Sequence, residues 1–428
     1  MPKEGSAYNN FLKQLIEWNP KLLKGYFKCF HYLQAMKKFI IILCIFTSIN
    51  VIAQSDASNS VYYGRTTGKL PALSYGMGED RLGGAKMGYI DSNVLLKIVD
   101  SVKDMYTVQL SKYHSALIEK TYVKPDSTSP IKKPYHLTGS FISKGDSLFD
   151  YVNIYLDEKL PYKSWMEISP SKIMVDIYGV QSNTNWVTQL SSLKEVKNVY
   201  YNQVEDDVVR VTIELKHAQH WGYSIFYTDK FLSVRIKRQP AKLDIRQMVI
   251  AIDAGHGGSN SGTSGIKLKA SEKQQTLLFA KALEKSLKKL GVKKIIMTRK
   301  TDTTFDNKDR ILWLQQQNPN LVISLHLNSS SKETIKGVST YYKHIGFRPL
   351  TSSILKRMLE LKLEEFGNIG HFNFALNAPT DFPNCLVEIA FLSNPEDEKR
   401  IVKPIFHTQV AGKIQLGIID WLNSMKSL

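Results

Sequence analysis

Cysteine is scarce: Cys29, Cys44 and Cys385 are the three in 428 residues, and no CxxC spacing occurs. That excludes a disulfide framework and the usual zinc-finger arrangements. Long apolar runs are missing too. The best, Phe39 to Ile49, is too short for a comfortable helical span. Carboxylates are outnumbered, 39 Asp and Glu against 57 Lys and Arg, for a net charge of +18. Such a chain suits an anionic partner: nucleic acid, a membrane surface or a cell-wall polymer. There is no RNP motif, zinc-finger spacing or basic helix, so nucleic acid is not the expected partner. The length and the 43% hydrophobic content are enough for two or three cores, which predicts a multidomain protein.

The stretch MKKFIIILCIFTSINVIAQSDA begins at Met36. Lys37 and Lys38 form a positive n-region, Phe39 to Ile49 an apolar core, and Val51 to Ala53 a small-residue cleavage site before Gln54. Residues 1–53 therefore read as a leader with a signal peptide, with Met36 the expected true start; an uncleaved anchor is the alternative. Leu43 before Cys44 speaks against a lipoprotein. Cleavage removes seven Lys and two Glu, leaves a mature charge of +13, and leaves Cys385 as the sole cysteine. An exported protein without disulfides fits the periplasm or cell envelope of a bacterium, with no stable membrane span after cleavage.

Polar residues 54–68 read as a flexible lead-in. Residues 69–124 then alternate apolar and polar in short pieces, among them MYTVQLS and HSALIEKTYV, which predicts a small β-barrel. KPDSTSPIKKP reads as a linker. Residues 135–238 carry longer strand patterns, such as FDYVNIYL and VVRVTIEL, and predict a β-sandwich. After a second linker near 238–247 the rhythm changes. From 248 to 428 strands alternate with helices, which predicts a C-terminal α/β domain, a mostly parallel sheet flanked by helices. Two mainly-β domains thus precede an α/β domain.

In that last region, VIAIDAGHGG runs apolar and then stops on His256 among glycines. The glycines let the backbone turn sharply and keep side chains away from the imidazole. Glu272 falls in the first turn of the following helix, and His326 near the end of LVISLHLN. Two imidazoles and a carboxylate match a catalytic zinc site, which takes three protein ligands and keeps a fourth position for water. Each residue alone also has a structural reading: a hydrogen-bonded histidine, or a glutamate favouring the helix dipole. The fourth group is Glu388, a carboxylate inside the apolar strand CLVEIAFL. A glutamate so placed is paired or functional. The alternatives are an ion pair with Arg299 or Arg310 and a general base for hydrolysis.

The motifs IDAGHGGSNSGTSG, LVISLHLNS and CLVEIAFLSNPEDE, with the helix between the first two, resemble zinc-dependent N-acetylmuramoyl-L-alanine amidases over about 248–425. The resemblance implies cleavage of the amide between muramic acid and the L-alanine of the peptidoglycan stem, zinc as cofactor on His256, Glu272 and His326, and Glu388 as the catalytic glutamate. The sandwich resembles the AMIN domains that precede such amidases, and ALIEKTYV resembles the close of a bacterial SH3-like domain. Two departures stand out: Asn260 where the family usually has Asp, and Asn377 where it often has Arg. Both put substrate contacts in question.

Peptidoglycan is the expected substrate, and an envelope activator protein is a further possible partner. The interval from Asn328 to Cys385 is filled by a strand, a helix and a short loop, so an open site without a plugging helix is expected. Arg299 and Arg310 are expected to brace the site, and Cys385 to be a buried hydrophobe. A non-catalytic wall-binding protein with a retained amidase fold is the alternative function; zinc content together with release of labelled peptidoglycan separates the two.

Overall fold

A computed structural model describes residues 61–78, 83–126 and 135–426. The expected signal peptide and start at Met36 lie outside them. All described residues fall in one compact unit.

The first part is a seven-stranded antiparallel sheet. It begins earlier than the expected boundary at residue 69. Tyr62–Thr66 is already a strand, pairing with Leu95–Val102 on one side and Val123–Pro125 on the other. The segment looks polar, but Gly64 and Thr66 are buried, and a Cβ at Gly64 would lie 2.6 Å from Val123. Close backbone packing, not apolar side chains, makes this strand.

The second part is two sheets over one core. Tyr162–Ile168, Ser171–Tyr178, Val208–Leu215 and Val196–Glu205 form one. His136–Gly145, Phe149–Leu156, Phe231–Lys237 and Tyr223–Thr228 form the other, with the short strands Val180–Gln181 and Val187–Gln189 pairing parallel to His136–Gly145. Phe149–Leu156 alternates strictly, with Asp150, Val152, Ile154 and Leu156 inward. The inward Asp150 is no error of pattern. It accepts backbone N–H groups from Lys194, Glu195 and Val196 and pairs with Arg238 at 2.7 Å. The segment expected to link this part to the next is partly ordered: Ile245–Gln247 is a short 3-10 turn with Ile245 buried.

The C-terminal region has six strands, β1 (Val249–Ala254), β2 (Lys294–Met297), β3 (Leu321–Asn328), β4 (Val338–Tyr341), β5 (Glu365–Ile369) and β6 (Asn384–Phe391). Its helices are α1 (Glu272–Leu290), α2 (Asn307–Gln317), α3 (Arg348–Leu359), α4 (Pro395–Ile401) and α5 (Pro404–Ser424). The sheet order is β2-β1-β3-β6-β4-β5. The ladders from β2 to β6 are parallel, β4 runs antiparallel to β6, and β5 runs with β4. The sheet is therefore mixed.

Apolar residues on α1, α3 and α5 share one core with Ile250, Ile252, Ile323 and Leu325. Ile311 and Leu314 of α2 share another with Ala251 and Val322. Successive residues of β1 and β3 thus face opposite layers, which leaves their carboxyl ends as the open edge. Helix α1 buries Phe279, Leu283 and Leu287 on one stripe and ends on Gly291 in the left-handed conformation, φ 89°.

Candidate metal centre

The end of β1 is a tight turn. Gly257 N–H donates to Asn260 O at 2.8 Å, and Asn260 N–H donates back to Gly257 O at 3.1 Å. His256 takes φ 64°, which few residues besides glycine adopt. Two arginines hold it there. Arg299 donates to the carbonyls of Ala254, Gly255 and Lys273. Arg310 donates to the carbonyl of His256 and pairs with the fully buried Asp253 at 3.0 Å. Asp253 also accepts from Thr298 and Ser324. Its burial opposes ionisation, yet Arg310 and these hydroxyls keep its carboxyl below the usual aspartate value. Both arginines are braces, and Arg310 is paired with Asp253.

His256, Glu272 and His326 converge. Their ligand atoms lie within 4.8 Å of one another. Oε1 of Glu272 is 3.0 Å from His256 Nε2 and 3.3 Å from His326 Nδ1. The two rings stand nearly perpendicular, 4.9 Å between centroids. The glycines make room for them. A Cβ at Gly255 would lie 2.4 Å from the His326 ring, and one at Gly262 would lie 2.3 Å from Glu272 Oε2. The two imidazole side chains keep 21% and 18% of their surface exposed, so the cluster is reachable from solvent.

Glu272 is almost fully buried at the N-terminus of α1. Burial opposes its ionisation. Contacts with His256 and His326 outweigh that and hold it well below the usual glutamate range. Backbone N–H groups of Thr263 and Leu327 complete its shell at 2.8 and 3.0 Å.

Asn260 is an outer partner of the first histidine. Its Oδ1 accepts from His256 Nδ1 at 2.8 Å, which leaves Nε2 turned to Glu272. A partner on one ring nitrogen fixes the tautomer and presents the other as a ligand. Asn377 is a buried brace. It is 1% exposed and donates to Tyr341 O and Asn384 Oδ1, bracing the chain beside β6. The set of one buried carboxylate oxygen and two imidazole nitrogens, with outer partners in place, fits a divalent ion of zinc's preferences.

Glu388 stands on β6 in register with His326 on β3. Paired residues on parallel strands share a face, so the carboxylate lies beside the cluster. It is 6% exposed.

Other residues that shape the site carried little sequence signal. Lys273 donates to Gly258 O and pairs with Asp302 at 2.8 Å, and Asp302 accepts from Gly258 N–H. Fully buried Glu398 accepts from the N–H groups of Lys267, Leu268 and Ala270 and so holds the loop leading into α1. Asp397 accepts from Gly337 and Phe391 N–H. Nothing in the local spacing of NPEDE marks these adjacent carboxylates as buried. Cys385 is buried and far from nucleophilic, its thiol pushed up by that burial. His344 and His407 are packing residues whose Nε2 atoms meet the carbonyls of Ala378 and Ile401.

A family model described as N-acetylmuramoyl-L-alanine amidase matches residues 250–420, and an AMIN domain model matches residues 143–240. The chain is 24% identical over 360 residues to N-acetylmuramoyl-L-alanine amidase AmiC of Escherichia coli O6:H1, a match covering 64% of this chain and 86% of that one. The catalytic domain of the amidase CwlV from Bacillus (Paenibacillus) polymyxa var. colistinus is similar at 31% identity, covering 41% of this chain and 99% of that one, with a TM-score of 0.40. An N-acetylmuramoyl-L-alanine amidase from Clostridium difficile 630 is 28% identical, covering 42% and 98%, again with a TM-score of 0.40.

Proposed function

We propose, for a chain that carries an N-acetylmuramoyl-L-alanine amidase domain behind an AMIN domain, that His256, Glu272 and His326 bind zinc and that Glu388 is the general base and acid. The reaction is hydrolysis of the amide between N-acetylmuramic acid and the L-alanine of the peptidoglycan stem. The observation that carries this reading is the convergence of those three side chains, with Glu388 in register beside His326.

Bound there, zinc supplies Lewis acidity, polarising a carbonyl and lowering the pKa of water to about 7. The chain's own residues do the rest. Glu272 brings negative charge to the two imidazoles and is kept ionised by them. Asn260 holds the His256 ring with Nε2 forward. Arg299, Arg310 and Asp253 keep the turn from relaxing. Glu388 takes the proton of the attacking water and delivers one to the departing alanine nitrogen.

The carboxyl ends of the parallel strands β1, β3 and β6 meet at this edge, where sites of open α/β sheets form. The envelope location expected from the leader, the SH3-like character of the first sheet and an activator protein belong to the same reading. The AMIN domain supports placement at the wall.

Digestion of purified sacculi with and without a zinc chelator tests the proposal. Mass spectrometry is expected to show free stem peptides and intact glycan strands, both lost with chelator. Cleavage within the glycan or within the peptide would replace the proposal with another hydrolase.

A further inference from the structure

A second cavity, about 320 Å³, opens where all three parts of the chain meet. None of its lining residues belongs to the metal cluster. Its volume lies at the small end of ligand pockets, about 300–1,000 Å³. The walls are locked to one another. Lys343 Nζ donates to Lys86 O at 2.9 Å, and Asn373 bonds Lys86 N–H and Gly84 O. Ser224 Oγ donates to Asp381 at 2.6 Å, and Tyr223 exchanges backbone and hydroxyl bonds with Thr380. The cavity therefore belongs to the folded chain and is not a gap between loose domains.

Its charge is lopsided. Lys86, Lys163, Arg235 and Lys343 all line it. Among the described residues, none of the four forms an ion pair with a carboxylate. The two carboxylates in the wall are already engaged: Asp91 accepts from Tyr227 N–H, and Asp381 accepts from Ser224 and Gln315. Burial and the neighbouring Lys86 push the Lys343 ammonium down to about 8. Burial and Lys308 lower Lys86 as well. Two half-buried like charges side by side cost stability unless an anion lies between them.

We propose that this junction cavity binds a carboxylate carried on a sugar- or dipeptide-sized body. The proposal rests on the amidase reading for its source. Hydrolysis adds water across the amide. The C–N bond breaks, the lactyl carbon gains the oxygen and becomes a carboxylate on the glycan, and the alanine nitrogen leaves as an ammonium. Each turnover thus creates one anion on the glycan and one cation on the peptide, and a pocket with four cationic side chains against two carboxylates selects the first. Stem peptides carry carboxylates too, so the same chemistry has two sources. Bound carboxylate would hold the chain on wall that has already been cut, and would tie the three parts together at the same time.

The test uses the full zinc-loaded chain. Calorimetry and thermal unfolding are run with N-acetylmuramic acid, with an L-alanyl-D-glutamate stem fragment, and with N-acetylglucosamine, which lacks the carboxylate. N-acetylmuramic acid is expected to bind and to raise the unfolding temperature, and N-acetylglucosamine to do neither. Lys343→Gln and Lys86→Gln are expected to weaken binding by about tenfold or more, the scale of one charged hydrogen bond. Lys163→Gln, at a third lysine of the wall, guards against a variant that fails to fold. Lysine-dependent binding of the peptide alone keeps the carboxylate site and moves its source to the stem. Binding that is equally tight in all three variants, or no binding of either carboxylate, overturns the proposal. Sacculus hydrolysis by the same variants is scored separately and is expected to stay at the wild-type level. Lysine-dependent binding by a chain that cleaves no peptidoglycan would sink the amidase reading and leave the anion site standing.

Discussion

His326 and Glu388 are register partners on adjacent parallel strands, so an imidazole and a carboxylate leave the same face of the sheet one strand apart. Neighbouring strands lie about 4.8 Å from each other. No loop has to fold to bring these two groups together. The sheet itself sets their spacing, while the turn after β1 and the first turn of α1 bring His256 and Glu272 to meet them.

Asn260→Ala is expected to weaken zinc binding about 10- to 100-fold, the usual cost of losing an outer partner of a ligating histidine. The wild type uses a neutral acceptor on His256 Nδ1. Asn260→Asp preserves the acceptor and is expected to bind zinc at least as well as wild type. Competition with a chromogenic chelator measures both. An unaltered affinity in the alanine variant would show that the contact does not position the ring.

Gly255→Ala places a methyl group 2.4 Å from the His326 ring. Either the ring moves or the strand end does. The cost is on the order of 1–3 kcal/mol, as for other overpacked sites. The variant is expected to lose zinc before it loses its fold, seen as metal content falling while the far-ultraviolet circular dichroism stays that of the wild type.

Glu398→Ala removes the shared acceptor of three backbone N–H groups in the loop before α1. Ala270 N–H is the buried one of the three, and leaving a buried donor unpaired costs about 1–3 kcal/mol, so destabilisation on that scale is expected in urea unfolding. Zinc affinity falls with it, because that loop supplies Thr263 N–H to Glu272.

Lys237 lies nine-tenths buried, with its ammonium on Pro319 O, and burial lowers it from 10.5 to about 7. Below about 7 both folded and unfolded chains carry the proton, and folding bears the full cost of burying the charge. Between about 7 and 10.5 the unfolded chain binds more protons than the folded one, so this group's contribution to stability rises with pH. Lys237→Met lacks the effect. Its unfolding temperature minus that of the wild type is expected to shrink between pH 7 and pH 10; a difference independent of pH would contradict this.

The four residues singled out along the chain, His256, Glu272, His326 and Glu388, stand together because residue type at strand ends and helix starts is visible in a sequence. What surrounds them was not. Strand β5, EFGNI, has no buried residue and carries a glycine, so neither alternation nor apolar content marks it, and the region reads as helix and loop. Tyr62–Thr66 reads as a lead-in because its pairing depends on a glycine. Glu398 and Asp150 look like surface charge, since a carboxylate satisfied by backbone N–H groups leaves no sign in local spacing. The contacts of Asn260 and Asn377 were not legible either: one side chain accepts from the His256 ring and the other donates to Tyr341 O, partners that local spacing does not reveal. Docking of the three parts rests on contacts hundreds of residues apart, such as Trp421 Nε1 to Gln219 Oε1 at 3.0 Å.

Glu388→Gln tests the central claim most directly. The variant keeps shape and size but cannot shuttle a proton. Measured together, metal content and dye release from labelled sacculi are expected to show one zinc per chain and hydrolysis reduced by about 10²- to 10⁴-fold. A variant that retains zinc and cleaves peptidoglycan at the wild-type rate would contradict the account.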